Sequence, residues 1–113
     1  MIRNTSKKRV LAAKSRLCRS IGSKAMGLMF SRKKADFGLI FSFNAEARRS
    51  LHMFFVFYPI DVLFLDKGGR IVEIKNNFRP FRTYRPKQKA SYIIELPVGR
   101  ASCCGIWDII SFK

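Results

Sequence analysis

The apolar positions of this chain keep two different rhythms. Between residues 9 and 18, RVLAAKSRLC, alternation sets Leu11, Ala13, Ser15 and Leu17 on one face and Lys14 and Arg16 on the other, as in a half-buried strand. A helix through Val10, Lys14, Leu17 and Ile21 also fits, with a lysine on its apolar side. In SIGSKAMGLMF, Ile21, Ala25, Leu28 and Met29 recur at helical spacing. Ser20 stands where its hydroxyl would cap that helix, and Gly22 and Gly27 keep it short, near residues 20–26.

From residue 38 onward the pattern is that of strands: GLIFSF (38–43), HMFFVFY (52–58), IDVLFL (60–65), RIVEIK (70–75), SYIIEL (91–96) and WDIISF (107–112). Pro59 and Pro97 interrupt them, and DKGG at 66–69 is a hairpin turn whose glycines accept a positive φ. IDVLFL is apolar on both faces and is expected at the centre of a sheet. In RIVEIK, Val72 and Ile74 are expected to face inward, and Glu73 and Lys75 outward. Short strands separated by turn signals predict a mainly β fold. Residues 1–113 are read as a compact single domain, a β-sandwich or small barrel of mostly antiparallel strands with the one short helix near 20–26.

Charge changes this picture more than length does. There are 23 Lys+Arg against 7 Asp+Glu, a net charge of +16. Residues 1–35 carry eleven basic side chains and no acid, and residues 74–94 carry six more and no acid. The segment 36–73 is nearly balanced, with four basic and five acidic residues. Two such windows attract polyanions: nucleic acid, an anionic membrane surface or an acidic protein. No apolar run approaches the ~18 residues of a membrane span. The basic start MIRNTSKKR leads into no apolar stretch of the secretory kind, so the chain is read as cytoplasmic and monomeric. Cys18, Cys103 and Cys104 show no Cys-x-x-Cys spacing, so they are expected as reduced thiols without a metal. No phosphate-binding Gly-rich loop, nucleophile elbow or His-Glu-x-x-His motif occurs, and no cofactor is expected.

GLMF at 27–30, GLIF at 38–41, HMFFVFYPIDVLFLDKGGRIVEI at 52–74, YIIELPVG at 92–99 and the terminal WDIISF follow one another in an order and spacing that resembles the domain-of-unknown-function family 192, in its archaeal-type form. The resemblance runs from about residue 2 to 112. It implies a sandwich or barrel with a short helix before GLMF, favours strand over helix for 9–18, and implies no activity. Two positions depart from the family pattern. His52-Met53 stands where many members have Trp-Met, and Trp107-Asp108 where most have Gly-Asp.

Two groups of residues carry candidate chemistry. Asp61 lies inside the apolar run and matches the acid the family places there. An unpaired buried carboxylate would cost several kcal/mol, so it is expected to accept backbone N–H groups at the corner made by Pro59, or to pair with an arginine. With Glu95, His52 and Asp108 it would otherwise line a polar pocket, for a small ligand or for acid–base chemistry. The second group is FRPFRTYRPKQK at 78–89, where aromatic and arginine residues each recur every three positions. Arg79, Arg82, Arg85 and Lys87 would meet phosphates while Phe81 and Tyr84 stack on bases. The plainer alternative is that the aromatics tuck into the core and the arginines are merely solvated. The leading expectation is a non-enzymatic module that binds RNA or DNA through this loop and the basic N-terminal segment. A pocket around Asp61 and a dock for an acidic protein are the alternatives.

Overall fold

The strand IDVLFL is buried at all six positions, as a segment apolar on both faces must be, and the fold is built around it. A computed structural model describes residues 1–18, 36–49, 51–52, 59–79 and 82–112. The helix expected near 20–26 and most of the strand expected at 52–58 lie outside these residues. In chain order the strands are β1 (Ile2–Asn4), β2 (Arg9–Ala12), β3 (Lys14–Cys18), β4 (Phe37–Ala47), β5 (Leu51–His52), β6 (Ile60–Leu65), β7 (Ile71–Phe78), β8 (Thr83–Tyr84), β9 (Ala90–Pro97) and β10 (Ile110–Ser111). They form a five-stranded sheet ordered β3-β4-β9-β6-β7, a three-stranded sheet ordered β10-β1-β2, and the short pair β5-β8. Among the described residues the strands are mainly antiparallel and neither large sheet closes on itself, so the architecture is a sandwich and not a barrel.

Cross-strand partners in a sheet point to the same face. Leu63 opposite Ile94, and Ile94 opposite Ile40, set one face of the large sheet. It packs on Ile2, Leu11, Ala12 and Ile110 of the small sheet. Phe64 opposite Ile93, and Ile93 opposite Phe41, set the other face, covered by Phe78, Ala90 and Tyr84. Each fully buried side chain of this kind contributes about 1.5–3 kcal/mol. The sheets approach closely at Gly38, where a Cβ would collide with the Ile2 side chain and stand 3.1 Å from Leu96 Cδ2.

Three local expectations need correction. Residues 9–18 are not one strand, because the chain leaves the small sheet after Ala12 and joins the large one at Lys14. The Ala13 amide between them donates to Asp36 Oδ1 at 3.0 Å. The alternation is therefore broken: Leu11 is buried, but Ala13 and Leu17 are exposed. β3 then runs parallel to β4, which an alternation pattern cannot reveal. Second, Glu73 does not face outward; it is 9% exposed, whereas Val72 and Ile74 are only half-buried. Third, WDIISF forms strand only at Ile110–Ser111. It is preceded by a turn in which Trp107 has φ 73° and is 63% exposed. A tryptophan thus holds the left-handed conformation that the family resemblance assigns to glycine, and the tight turn is kept.

Candidate functional site

Asp61 is the second residue of β6 and lies opposite a bulge in β7. Ile60 pairs with Phe78 but Val62 pairs with Lys75, so β7 carries one extra residue there. Its displaced amide, Asn77 N–H, donates to Asp61 Oδ1 at 2.9 Å from a residue with φ 51°. Asp61 Oδ2 accepts Gly99 N–H at 2.8 Å and Ala101 N–H at 3.0 Å, in the turn that leaves β9. The carboxylate, 2% exposed, is thus spent on three backbone amides. Gly99, at φ 92°, supplies the left-handed residue that this turn requires.

Of the four residues of the expected polar pocket, Asp61 and Glu95 are separated by the sheet itself. Asp61 pairs with Leu96 and Val62 with Glu95, so Asp61 and Glu95 project from opposite faces of the large sheet. Glu95 is buried at 7% exposure, beside Leu39 and Val62. Asp108 sits by the small sheet and latches the chain ends together. It receives Asn4 Nδ2–H at 2.9 Å, Lys7 Nζ at 2.9 Å and Gly105 N–H at 2.9 Å. The Asn4 bond first, then Lys7 and the Gly105 amide, hold its carboxyl down at about 2. His52 pairs with Thr83 in β5-β8. Among the described residues no three His, Cys, Asp or Glu side chains gather as metal ligands do. Nor is any helix among them long and apolar enough to cross a membrane.

The basic loop is organised from beneath by Glu73, which sequence reasoning had placed on the surface. Glu73 Oε1 accepts Lys87 N–H at 2.8 Å and Gln88 N–H at 2.9 Å. Glu73 Oε2 accepts the Tyr84 hydroxyl. Burial first, then the bond to Glu73 and its charge, push the Tyr84 phenol up to about 12. The Tyr84 ring packs on Phe64 at 5.8 Å and Phe78 at 6.2 Å between centroids, with Lys75 Nζ over it at 5.4 Å. Phe78 is 1% exposed. Tyr84 and Phe78 are therefore committed to the core and to Glu73, while Phe81 lies outside the described residues.

The cations do the opposite. Arg79, Arg82, Arg85 and Lys87 are all exposed. Arg48 joins the loop through Nε–H donated to Pro86 O at 2.9 Å. Arg49 lies 3.9 Å over the Phe43 ring and donates to the carbonyls of Ala45 and Ala90. Among the described residues only two ion pairs form, Lys7 with Asp108 and Arg100 with Asp36. Four of the seven acids, Asp61, Glu73, Glu95 and Asp108, are buried. The surface is accordingly more one-sided in sign than the composition alone conveys. Glu73 had one signal in the sequence: it is the acid immediately before the acid-free window that it organises.

This geometry can be set beside known proteins. A UPF0127 protein of Pyrococcus horikoshii is 42% identical over 101 residues, covering 88% of this chain and 85% of that one. A UPF0127 protein of Thermococcus sibiricus is 38% identical over 101 residues, covering 88% of this chain, which spans 64% of that protein's length. A crystal structure of a protein of unknown function from Novosphingobium aromaticivorans superposes with a TM-score of 0.83 at 22% identity, covering 98% of this chain and 81% of its own. One from Sinorhizobium meliloti, named as a candidate transcription regulator, superposes with a TM-score of 0.78 at 24% identity, covering 86% and 79%. At such identity the two structures establish the fold alone. Residues 2–108 match the family DUF192, described as Uncharacterized ACR. With that match and the archaeal relatives, the chain belongs to the DUF192 family.

Proposed function

We propose that the chain is a cytoplasmic, non-enzymatic module that binds the phosphate backbone of RNA or DNA. The loop carrying Arg79, Arg82, Arg85 and Lys87 makes the contact, with Arg48 at its flank, Phe81 as the aromatic residue of its sequence left to stack on a base, and the basic N-terminal segment adding to the attraction. One observation carries the reading: a buried carboxylate, Glu73, ties down the loop backbone, and the loop's cations all point to solvent. A loop held this way offers charge without first having to order itself, which lowers the cost of binding. Because Tyr84 is packed and hydrogen-bonded, its part is to hold the loop and not to stack on a base. Recognition then rests on charge and backbone shape more than on base identity. The pocket alternative has less support, since Asp61 and Glu95 lie on opposite sheet faces.

The test is fluorescence anisotropy with a labelled single-stranded RNA and a duplex DNA, at low and near-physiological salt. It is run beside the variant Arg79→Ala, Arg82→Ala, Arg85→Ala. Log K should fall by roughly 0.7–0.9 per phosphate contact per log unit of salt. The variant should weaken binding and flatten that slope. Binding that disappears by physiological salt, or that ignores the variant, overturns the proposal. Capture of an acidic protein that survives nuclease treatment would favour the docking alternative.

A further inference from the structure

Adjacent residues on a strand point to opposite faces, so neighbouring cysteines usually keep their sulfurs apart. Cys103 and Cys104 instead leave a tight turn. Arg100 N–H donates to Pro97 O, Ser102 N–H to Gly99 O and Cys104 N–H to Ala101 O. This curl turns both cysteine side chains against the same core cluster. Both are free of disulfide, half-buried, and packed against the core between the sheets. Their frame is fixed on two sides. Asp61 holds the turn through the Gly99 and Ala101 amides. Asn4, 0% exposed, donates from Nδ2 to Cys104 Sγ at 3.4 Å. A buried amide aimed at sulfur stabilises the charge that a metal-bound thiolate carries.

We propose that Cys103 and Cys104 form a dithiol site for a thiophilic monovalent cation of the copper(I) or silver(I) kind. Soft thiolate ligands select such ions. Zinc in a structural site takes four ligands, and among the described residues no third His, Cys, Asp or Glu completes a set with the two sulfurs. Asp108 is occupied by Asn4, Lys7 and Gly105. On binding, each S–H gives its proton to water as a sulfur–metal bond forms. Two protons leave, the cation stays monovalent, and no electrons are transferred. The complex carries one negative charge in a protein of net charge +16, an environment that favours it.

The experiment adds silver(I) alone to the reduced protein, in excess glutathione so that only a chelating pair retains the ion. Native mass spectrometry should show one bound ion. In 15N-labelled wild-type protein the shifts should concentrate at the amides of residues 99–105 and at the Asn4 side-chain amide. Cys18→Ser should keep the ion, and Cys103→Ser and Cys104→Ser should each lose it. No retained ion, retention that follows Cys18, or shifts centred elsewhere would overturn the proposal. The wild-type shifts decide the matter even if a serine variant fails to fold.

Discussion

Replacing Asp61 with asparagine changes one oxygen for an amide of nearly the same size, so it isolates hydrogen bonding from packing. In the wild type Oδ1 serves Asn77 and Oδ2 serves Gly99 and Ala101. Asparagine has one acceptor oxygen, and its best orientation turns that oxygen toward Gly99 and Ala101. The NH2 group then faces the Asn77 N–H, donor against donor. The orphaned amide costs about 1–3 kcal/mol, and two bonds lose their charge assistance at about 1 kcal/mol each. The sum, about 3–5 kcal/mol, is a large share of the ~5–15 kcal/mol that holds a domain folded. Asp66 supplies the control. Its Oδ1 alone accepts both Gly68 N–H and Arg70 N–H at 2.9 Å, so one asparagine oxygen can replace it. Asp66→Asn should therefore orphan no amide and cost about 2 kcal/mol at most, through lost charge assistance alone. Urea denaturation followed by far-ultraviolet circular dichroism measures both. An Asp61→Asn loss below about 1 kcal/mol, or an equal loss in Asp66→Asn, would refute the assignment of Asp61 as the anchor of bulge and turn.

Other outcomes follow from the same geometry. Gly38→Ala should cost about 1–3 kcal/mol by overpacking. Ile2→Val should recover part of that loss in the double variant, since it removes the methyl group the new Cβ would strike; strict additivity in denaturant melts would count against the close approach. Trp107→Gly should stabilise the fold by up to about 1 kcal/mol, because the left-handed conformation costs an L-residue ~1–2 kcal/mol and glycine gives back part of this as entropy; a lower thermal midpoint would contradict this. Asp108 has a folded pKa of about 2, below its ordinary 3.8, so its contribution is present above about pH 4 and is lost as pH falls toward 2; Asp108→Asn should flatten the acid limb of the stability curve. The Tyr84 phenol, raised from 10.0 to about 12, contributes stability below pH 10 that is lost as pH rises through 12. Absorbance titration should show a late tyrosine step that Tyr84→Phe removes.

The elements legible in the sequence were those whose cause is local. IDVLFL, its Asp66–Gly69 turn and SYIIEL fall where apolar period and turn residues put them. The break at Ala13 was hidden, because it answers to Asp36, twenty-three residues away. The parallel pairing of β3 with β4 was hidden for a similar reason, since it depends on where the chain returns and not on either strand's pattern. Glu73 misled because alternation assigns a face but not what covers it. The loop at 84–88 folds over that face and turns a surface position into a buried one. The scattered acids could be judged only in three dimensions, where the sheet itself separates Asp61 from Glu95.

The inward placement of the acids also bears on how such a chain can change over generations. Asp61, Glu73 and Asp108 secure the backbone, whereas the side chains of Arg79, Arg82, Arg85 and Lys87 are exposed and form no ion pair among the described residues. Stability and surface charge are therefore written in separate sets of positions. Lineages can trade exposed lysines and arginines for neutral residues, or accumulate more of them, with little penalty to folding. The buried carboxylates have no such freedom. Among relatives, net charge is expected to drift widely over an almost unchanged scaffold.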